Sequence, residues 1–156
     1  MSEPTTPGAI VCATRGGEGS RAVKERAIER ARAQDRGLIF LYVIDAEAIE
    51  EEGPAAGGRA LDTALRLELR WMGRVLLEMA RTQAARAGVS ATLVIREGDV
   101  RDEIASFVRE IEAGGLYLGA PRGTTANVFG DDAIERFAED IAQISGVTVA
   151  VVRPEA

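Results

Sequence analysis

Five short apolar segments, separated by stretches with helical periodicity, are the feature that most constrains the fold of this chain. They are AIVCA (9–13), LIFLYVI (38–44), ATLVI (91–95), LYLG (116–119) and VTVAVV (147–152). Each is almost continuous in apolar residues rather than alternating, which is typical of strands buried on both faces of a parallel sheet. Strict alternation of five strands with four helices predicts an open, doubly wound α/β sheet with right-handed crossovers and helices on both faces.

The helical stretches are amphipathic, with apolar residues at i, i+3, i+4 and i+7. The predicted buried faces are Ile104, Phe107, Val108 and Ile111; Ile134, Phe137, Ala138 and Ile141; and, in the longest pattern at roughly 60–87, Leu61, Leu65, Leu69, Met72, Leu76 and Met79. Asp99 is a predicted N-cap, and Gly88 and Gly146 are predicted to end their helices.

The chain length of 156 residues fits a single domain spanning 1–156. Within it we expect residues 1–8 to form a flexible N-terminus. Residues 45–59, which are acidic and then rich in Gly, Ala and Pro, are predicted to form a mobile connection between the second strand and the long helix.

Composition excludes several classes of function. The net charge is −6 without a basic run, which argues against a nucleic-acid partner. Histidine is absent, which removes Ser-His-Asp and Cys-His arrangements and histidine-based zinc sites, and no metal site is predicted. The single cysteine, Cys12, lies in an apolar run and is read as a small core residue, with redox or nucleophile chemistry as the alternative. We expect a cytoplasmic protein, since a single cysteine cannot form a disulfide within the chain. We expect no membrane partner, since no apolar run approaches the length of a membrane span.

Two glycine-rich loops follow predicted strands and lead into helices, TRGGEGS (14–20) and GAPRGTTANVFGDD (119–132). In an open parallel sheet, ligands bind beyond the carboxyl ends of the strands, and such loops often cradle phosphate with backbone N–H groups. Glycine also marks ordinary tight turns, so each loop by itself is open to both interpretations.

Four segments in order resemble the universal stress protein family, from about Gly8 to Pro154. IVCATRGGEGS is similar to the family's first strand and its loop, LIFLYVID to the second strand, and REGDVRDEI to the segment that opens the third helix. The stretch LYLGAPRG, VFGDDAIERFAEDI and GVTVAVVRP is similar to the fourth strand, the glycine loop, the last helix and the dimer-forming final strand.

The resemblance implies the strand order 3-2-1-4-5 and a homodimer formed through the C-terminal strand 147–152. It also implies a role in stress resistance or regulation through an unknown protein partner, with slow ATP hydrolysis at most. One branch of the family binds ATP or AMP and the other binds no ATP. Carried onto this chain, the nucleotide-like pocket comprises Ala13, Thr14, Arg15, Val43, Gly119, Gly123, Gly130 and Asp131.

This chain departs from the family's ATP-binding pattern in three places. Its loop glycines, Gly119, Gly123 and Gly130, are separated by three and six residues instead of two and nine. Asp131 stands where the pattern has serine or threonine, and Arg15 stands where it has an aspartate. We therefore predict a non-catalytic regulatory or stress-protection protein that does not bind ATP in the standard way. The alternative is an ATP- or AMP-binding switch with a degenerate loop.

Arg15 and Asp131 follow strands that the resemblance makes neighbours, and our hypothesis is that they pair and close the pocket. Two other interpretations of Arg15 stay open: a binding group for the phosphate or carboxylate of another ligand, and an ordinary solvent-exposed arginine. A remote alternative is an adenylating enzyme, because RGGEGS (15–20) is close to the Ser-Gly-Gly-x-Asp-Ser loop of ATP pyrophosphatase-type synthetases. Arg15 and Gly19 replace the first serine and the aspartate of that loop.

The final apolar run, 147–152, is apolar on both alternating faces. At a sheet edge its unpaired backbone would need a cover, and pairing with the same strand of a second subunit supplies one. The alternative is a monomer in which the chain's own helices cover this strand.

Overall fold

A computed structural model of the chain describes residues 8–14, 19–46, 58–120 and 130–153. Strands and helices alternate along these residues, as the apolar segments predict. In chain order they are β1 (Ile10–Ala13), α1 (Gly19–Gln34), β2 (Leu38–Asp45), α2 (Gly58–Arg86), β3 (Ala91–Gly98), α3 (Val100–Glu110), β4 (Gly115–Gly119), α4 (Gly130–Ser145) and β5 (Val149–Val152).

The five strands form one parallel sheet in the order β3-β2-β1-β4-β5. The predicted doubly wound fold and its strand order are therefore confirmed. From β1 the chain winds outward to β3, and it then returns to the other side of β1 to form β4 and β5. The point where the winding direction reverses lies between β1 and β4, which is where ligands bind in folds of this type.

Each face of the sheet is covered by two helices. Successive strand residues point to opposite faces, so Cys12 packs in the cluster beneath α1 and α2 while Val11 packs in the cluster beneath α3 and α4. Phe40 and Leu41 divide in the same way, and both are fully buried. Continuous apolar strands result because neither face of the sheet is left to solvent.

The predicted helix ends agree with the structure. The carboxylate of Asp99 accepts a hydrogen bond from the Asp102 N–H at 3.0 Å, which caps α3. Gly88 and Gly146 have φ values of +81° and +76° just after α2 and α4, where a residue without a Cβ adopts the left-handed conformation at least cost. The predicted faces of α3 and α4 also turn toward the sheet, with Ile104 and Ile141 buried.

The predicted buried face of the long helix is wrong in part. Met72 and Met79 are 46% and 59% exposed. Within 62–86, where the structure describes the side chains of α2, the buried residues are Gly73, Leu77, Ala80 and Ala84. The side chain of Leu61, which was also predicted to be buried, lies outside the described residues. Small residues let this helix lie close to the sheet, whereas the prediction gave most weight to the largest apolar side chains.

Several predicted boundaries move. The last strand begins at Val149 rather than at 147. The ends of the predicted connection 45–59 belong to β2 and α2, and 47–57 lie outside the described residues. Residues 1–7 of the predicted flexible terminus also lie outside them. Gly8 itself is held in place, because its N–H donates to the Glu112 carbonyl at 2.8 Å and its carbonyl accepts from Arg36 at 2.9 Å.

Candidate functional site

The carboxyl ends of β2, β1 and β4 bring four of the eight predicted site residues together. Ala13 pairs with Leu41 on one side and with Leu118 on the other. Thr14 and Gly119 therefore lie side by side at this edge, and Val43 lies two residues beyond the β2 partner of Ala13. Ala13 and Val43 both pack against the cluster beneath α3 and α4, so their side chains share one face of the sheet.

The backbone at these strand ends is already engaged within the sheet. The Thr14 N–H donates to the Leu41 carbonyl at 2.9 Å, and the Ala120 N–H donates to the Val152 carbonyl at 2.9 Å. Thr14 is also buried, with 3% of its surface exposed. A phosphate at this edge would therefore have to take its N–H donors from the loops or from the first turn of α4 rather than from the strands.

The glycine loop leads into α4, which begins at Gly130. Asp131 and Asp132 are helical residues of the first turn, a correction to the predicted loop 119–132, which extended to Asp132. Arg15 and Gly123 lie outside the described residues, and so does the side chain of Asp131. The predicted pairing of Arg15 with Asp131 stays a prediction.

Asp62 is a site candidate that the sequence analysis did not select. It lies in the second turn of α2, and the start of α2 lies at the same sheet edge because the helix returns from the carboxyl end of β2. The Oδ1 atom of Asp62 is buried and has no hydrogen-bond partner among the residues that the structure describes. Buried acceptors without a partner are rare, and a ligand hydroxyl or amino group placed here would satisfy this oxygen. Its sequence position near a helix start gives no sign of this burial.

Ion pairs hold the carboxyl end of β3, the outermost strand on this side of the sheet, against the neighbouring helices. Arg66 of α2 donates to Glu97 of β3 at 2.7 Å, and Arg96 contacts Glu103 of α3 at 3.1 Å. The Arg96 guanidinium also lies 5.5 Å from the centroid of the Phe107 ring. These contacts join two helices to the edge strand and explain why β3 continues through charged residues to Gly98.

Cys12 is fully buried at the centre of the sheet. Burial raises the pKa of its thiol from 9.0 to about 12, and the charge of Lys24 offsets a smaller part of that rise. The thiol therefore stays protonated at neutral pH, which favours the interpretation of Cys12 as a core residue over one as a nucleophile. No group of three or more His, Cys, Asp or Glu side chains in the described ranges is placed to hold a metal ion. No helix there is long and apolar enough to cross a bilayer.

The fold and the edge between β1 and β4 define a doubly wound α/β domain of the kind that carries ligand sites at a strand-order reversal. The sequence matches the profile of the Universal stress protein family over residues 8–153, and the chain belongs to that family. The resemblance found in the sequence is thus confirmed. No protein of a curated set matches the chain.

Solved structures of this family share the fold. UspA from Lactobacillus plantarum is 18% identical with a TM-score of 0.72, covering 95% of this chain and 99% of that one. A family member from Burkholderia pseudomallei is 21% identical with a TM-score of 0.70, covering 92% and 94%. An Arabidopsis thaliana protein with AMP bound is 17% identical with a TM-score of 0.65, covering 96% and 94%. Other similar structures are complexes with cAMP and with dAMP.

Proposed function

We propose that this universal stress protein is a non-catalytic regulatory or stress-protection protein of the cytoplasm that does not bind ATP in the standard way. The observation that carries the proposal is the pair of aspartates, Asp131 and Asp132, in the first turn of α4. This turn follows the glycine loop at the sheet edge where β1 and β4 end. A phosphate in the family's pose would have to approach that helix start.

The repulsion between an aspartate carboxylate at this helix start and a bound phosphate can be estimated from Coulomb's law. A carboxylate in the first turn of a helix complements the helix dipole and competes with a phosphate for the same N–H groups. Two unit charges at about 4 Å repel by roughly 4 kcal/mol at a near-surface effective dielectric constant of ~20. That energy corresponds to a loss of about a thousandfold in affinity. On this proposal, the chain would supply its own anion where a nucleotide places one.

The test converts the pocket toward the family's binding pattern. We propose that Arg15 and Asp131 pair across the pocket, and the double variant Arg15→Asp with Asp131→Ser should then bind ATP with Mg²⁺ in isothermal titration calorimetry. The natural chain and the matched control Asp132→Ser should bind ATP about a thousandfold more weakly or not at all, since both keep Asp131 where the family's pattern has serine or threonine. Absence of ATP binding by the double variant would refute the pocket closure.

A second candidate function is an adenine-nucleotide switch that uses the altered loop. It is supported by the AMP-, cAMP- and dAMP-bound relatives and by the buried, unpartnered Asp62 oxygen beside this edge. A ligand at 100 times its dissociation constant stabilises the native state by ~2.7 kcal/mol. For a domain of this size the melting temperature would then rise by roughly 5–10 °C. An unchanged melting curve with saturating ATP, AMP or cAMP would dismiss this candidate.

We further propose a homodimer through β5. This strand is at the sheet edge, with β4 on one side only. Leu116 N–H donates to the Thr148 carbonyl and Ala120 N–H donates to the Val152 carbonyl, so the backbone groups of Val149 and Val151 point to the free edge. A cavity of about 420 Å³ lies beside the strand, against α4.

A proline substitution in β5 tests the dimer without disrupting the fold of the subunit. Val151→Pro removes an N–H that the β4 pairing does not use, and prolines are tolerated at such edge positions. We expect this variant to sediment as a monomer, while Val151→Ala, which loses a similar side chain but keeps the N–H, stays dimeric. If the natural chain itself sediments as a monomer at micromolar concentration, the dimer proposal is wrong.

A further inference from the structure

The long helix α2 has a second apolar surface, on the side that faces away from the sheet. Five large apolar side chains form it, and we call them the outer stripe: Leu67, Trp71, Met72, Val75 and Met79, which are 63%, 66%, 46%, 37% and 59% exposed. The one other large apolar residue with comparable exposure in the described part of the chain is Ile144 on α4, at 49%. A contiguous apolar patch on a soluble domain typically marks an interaction site.

The spacing of the outer stripe suits helix-on-helix packing. Leu67, Trp71, Val75 and Met79 recur every four residues and extend for about 18 Å along the helix. Rows of residues four apart are the ridges by which helices of globular proteins interlock. A central Trp with Leu and Met beside it is also the composition of an interface anchor.

Charge distinguishes α2 from the rest of the molecule. Residues 58–86 contain six arginines and three acidic residues, for a net charge of +3, in a chain whose total is −6. The remaining residues therefore carry −9. Arg70 and Arg74 each follow a stripe residue by three positions and line one flank of the outer stripe. Neither has an ion-pair partner among the described residues, whereas Arg81 is held by Glu78 at 2.7 Å and Arg66 by Glu97 at 2.7 Å.

We propose that the outer stripe is the docking surface for an acidic amphipathic helix of a partner protein. The apolar side of such a helix would cover Trp71 and its neighbours, and its carboxylates would meet Arg70 and Arg74. This names the class of partner for the regulatory role proposed above and rests on that role for its biological meaning. Binding is measured directly, so a failure here would leave the proposals for the nucleotide pocket and for β5 untouched.

A second copy of this chain is a poorer occupant of the same surface. Two α2 helices would bring net charges of +3 together. In an antiparallel two-fold pair the same flank of both helices meets, so Arg70 and Arg74 would face the arginines of the second copy. Like charges in contact oppose such a dimer.

An anionic membrane surface is also a poorer occupant. Glu68 lies among the outer-stripe residues, and Glu78 lies two turns from Trp71 on the same line of the helix. Carboxylates within the apolar surface oppose insertion into an anionic bilayer, where interfacial helices carry basic residues.

Trp71 supplies the measurement, because it is the only tryptophan in the chain. The probe is a tryptophan-free peptide of ~18 residues with leucine at i, i+3, i+4 and i+7 and glutamate at the flanking positions. Its matched control has lysine in place of every glutamate. We expect the acidic peptide to protect Trp71 from acrylamide quenching in a saturable way, with micromolar affinity as for other small interfaces, and to bind at least about tenfold more tightly than the lysine peptide.

Variants assign the binding to the outer stripe. Leu67→Ser with Met79→Ser should weaken binding of the acidic peptide at least about tenfold, since anchor residues dominate small interfaces. Ile144→Ser, which removes an equally exposed apolar side chain elsewhere, should leave it unchanged. Arg70→Glu with Arg74→Glu should reverse the preference toward the lysine peptide, whereas Arg109→Glu on α3 should not.

Four outcomes would overturn the proposal. Equal binding of the two peptides, or no binding of either, would refute the charge complementarity. Protection of Trp71 that depends on protein concentration would assign the surface to a second copy. Protection by phosphatidylglycerol vesicles, with none by the peptide, would assign it to a membrane. Protection of Trp71 in the free monomer would assign it to the acidic stretch 47–57 of the same chain.

Discussion

Gly73 lies in the middle of α2 on the side that packs against the sheet, and its contact with Tyr42 allows a prediction of sign as well as size. A Cβ added at Gly73 would lie 2.4 Å from Cδ2 and 2.7 Å from Cε2 of the Tyr42 ring. Carbon atoms in good contact are about 3.5–4.0 Å apart, so the ring or the helix would have to move by roughly 1 Å. The Tyr42 ring packs against the buried cluster beneath α1 and α2. Moving a rigid ring that is packed in this way lowers the stability of the folded protein.

Two effects of Gly73→Ala oppose each other. Alanine raises helix propensity by about 1 kcal/mol relative to glycine. Overpacking of a core costs about 1–3 kcal/mol, and a contact this short belongs to the upper part of that range. We therefore expect a net loss of about 1–2 kcal/mol in the free energy of unfolding, measured by urea denaturation followed by circular dichroism. The melting temperature should fall by roughly 2–8 °C.

Two controls isolate the contact with the ring. In a Tyr42→Leu background, Gly73→Ala should become neutral or stabilising by up to about 1 kcal/mol, giving a coupling energy of about 1–3 kcal/mol between the two positions. Ala64→Gly, at an exposed position inside the same helix, measures the helix-propensity effect, which we expect to be about 1 kcal/mol. A Gly73→Ala variant that is more stable than the natural protein would refute the reasoning.

Three further predictions concern the core thiol and the helix ends. The free energy of unfolding should fall by about 2 kcal/mol between pH 9 and pH 10.5. The folded protein keeps the Cys12 proton, because the thiol pKa is about 12, whereas the unfolded chain releases it above the ordinary pKa of 9.0. Urea denaturation of Cys12→Ala should lack this pH-dependent loss. Asp99→Ala should cost about 1 kcal/mol, and Asp99→Ser much less, in the same assay, since serine keeps an acceptor for the Asp102 N–H. Gly146→Ala should cost about 1 kcal/mol in thermal unfolding, entirely from its φ of +76° because a Cβ there meets nothing within 4 Å; no loss would show that this turn relaxes.

The strands were predictable because burial on both faces requires consecutive apolar residues, a pattern that is easily seen in the sequence. Phe40 and Leu41 are neighbours that point to opposite clusters, and both must be apolar. This apolar pattern is weaker in the outermost strand. β3 is half-buried throughout and continues past its apolar run to Gly98, with Arg96 and Glu97 held by ion pairs to the helices. Charged residues end an apolar pattern, but they need not end an edge strand.

The location of the site, at the carboxyl ends of the strands, was predictable for a related reason. Apolar runs and their alternation define the sheet, the family resemblance gives the strand order, and the order places the ends of β1 and β4 together. The arrangement of side chains around that edge was not predictable. Asp62 reads in the sequence as an ordinary aspartate near a helix start, and its burial depends on how α2 lies against the sheet. Glycine spacing records backbone freedom, which many turns share, and does not by itself specify a ligand.

The long helix shows why periodicity alone cannot separate a core-facing surface from a partner-facing one. Both kinds of surface repeat every 3.6 residues, and α2 carries apolar residues on most of its circumference. Gly73, Ala80 and Ala84 face the sheet, where small side chains permit close helix–sheet approach, while Trp71 and Met79 face outward. A helix that needed only to cover the sheet would gain solubility from polar residues on its outer side. The exposed Met72 and Met79, which the sequence analysis assigned to the core, are therefore better explained as part of a surface that a partner buries.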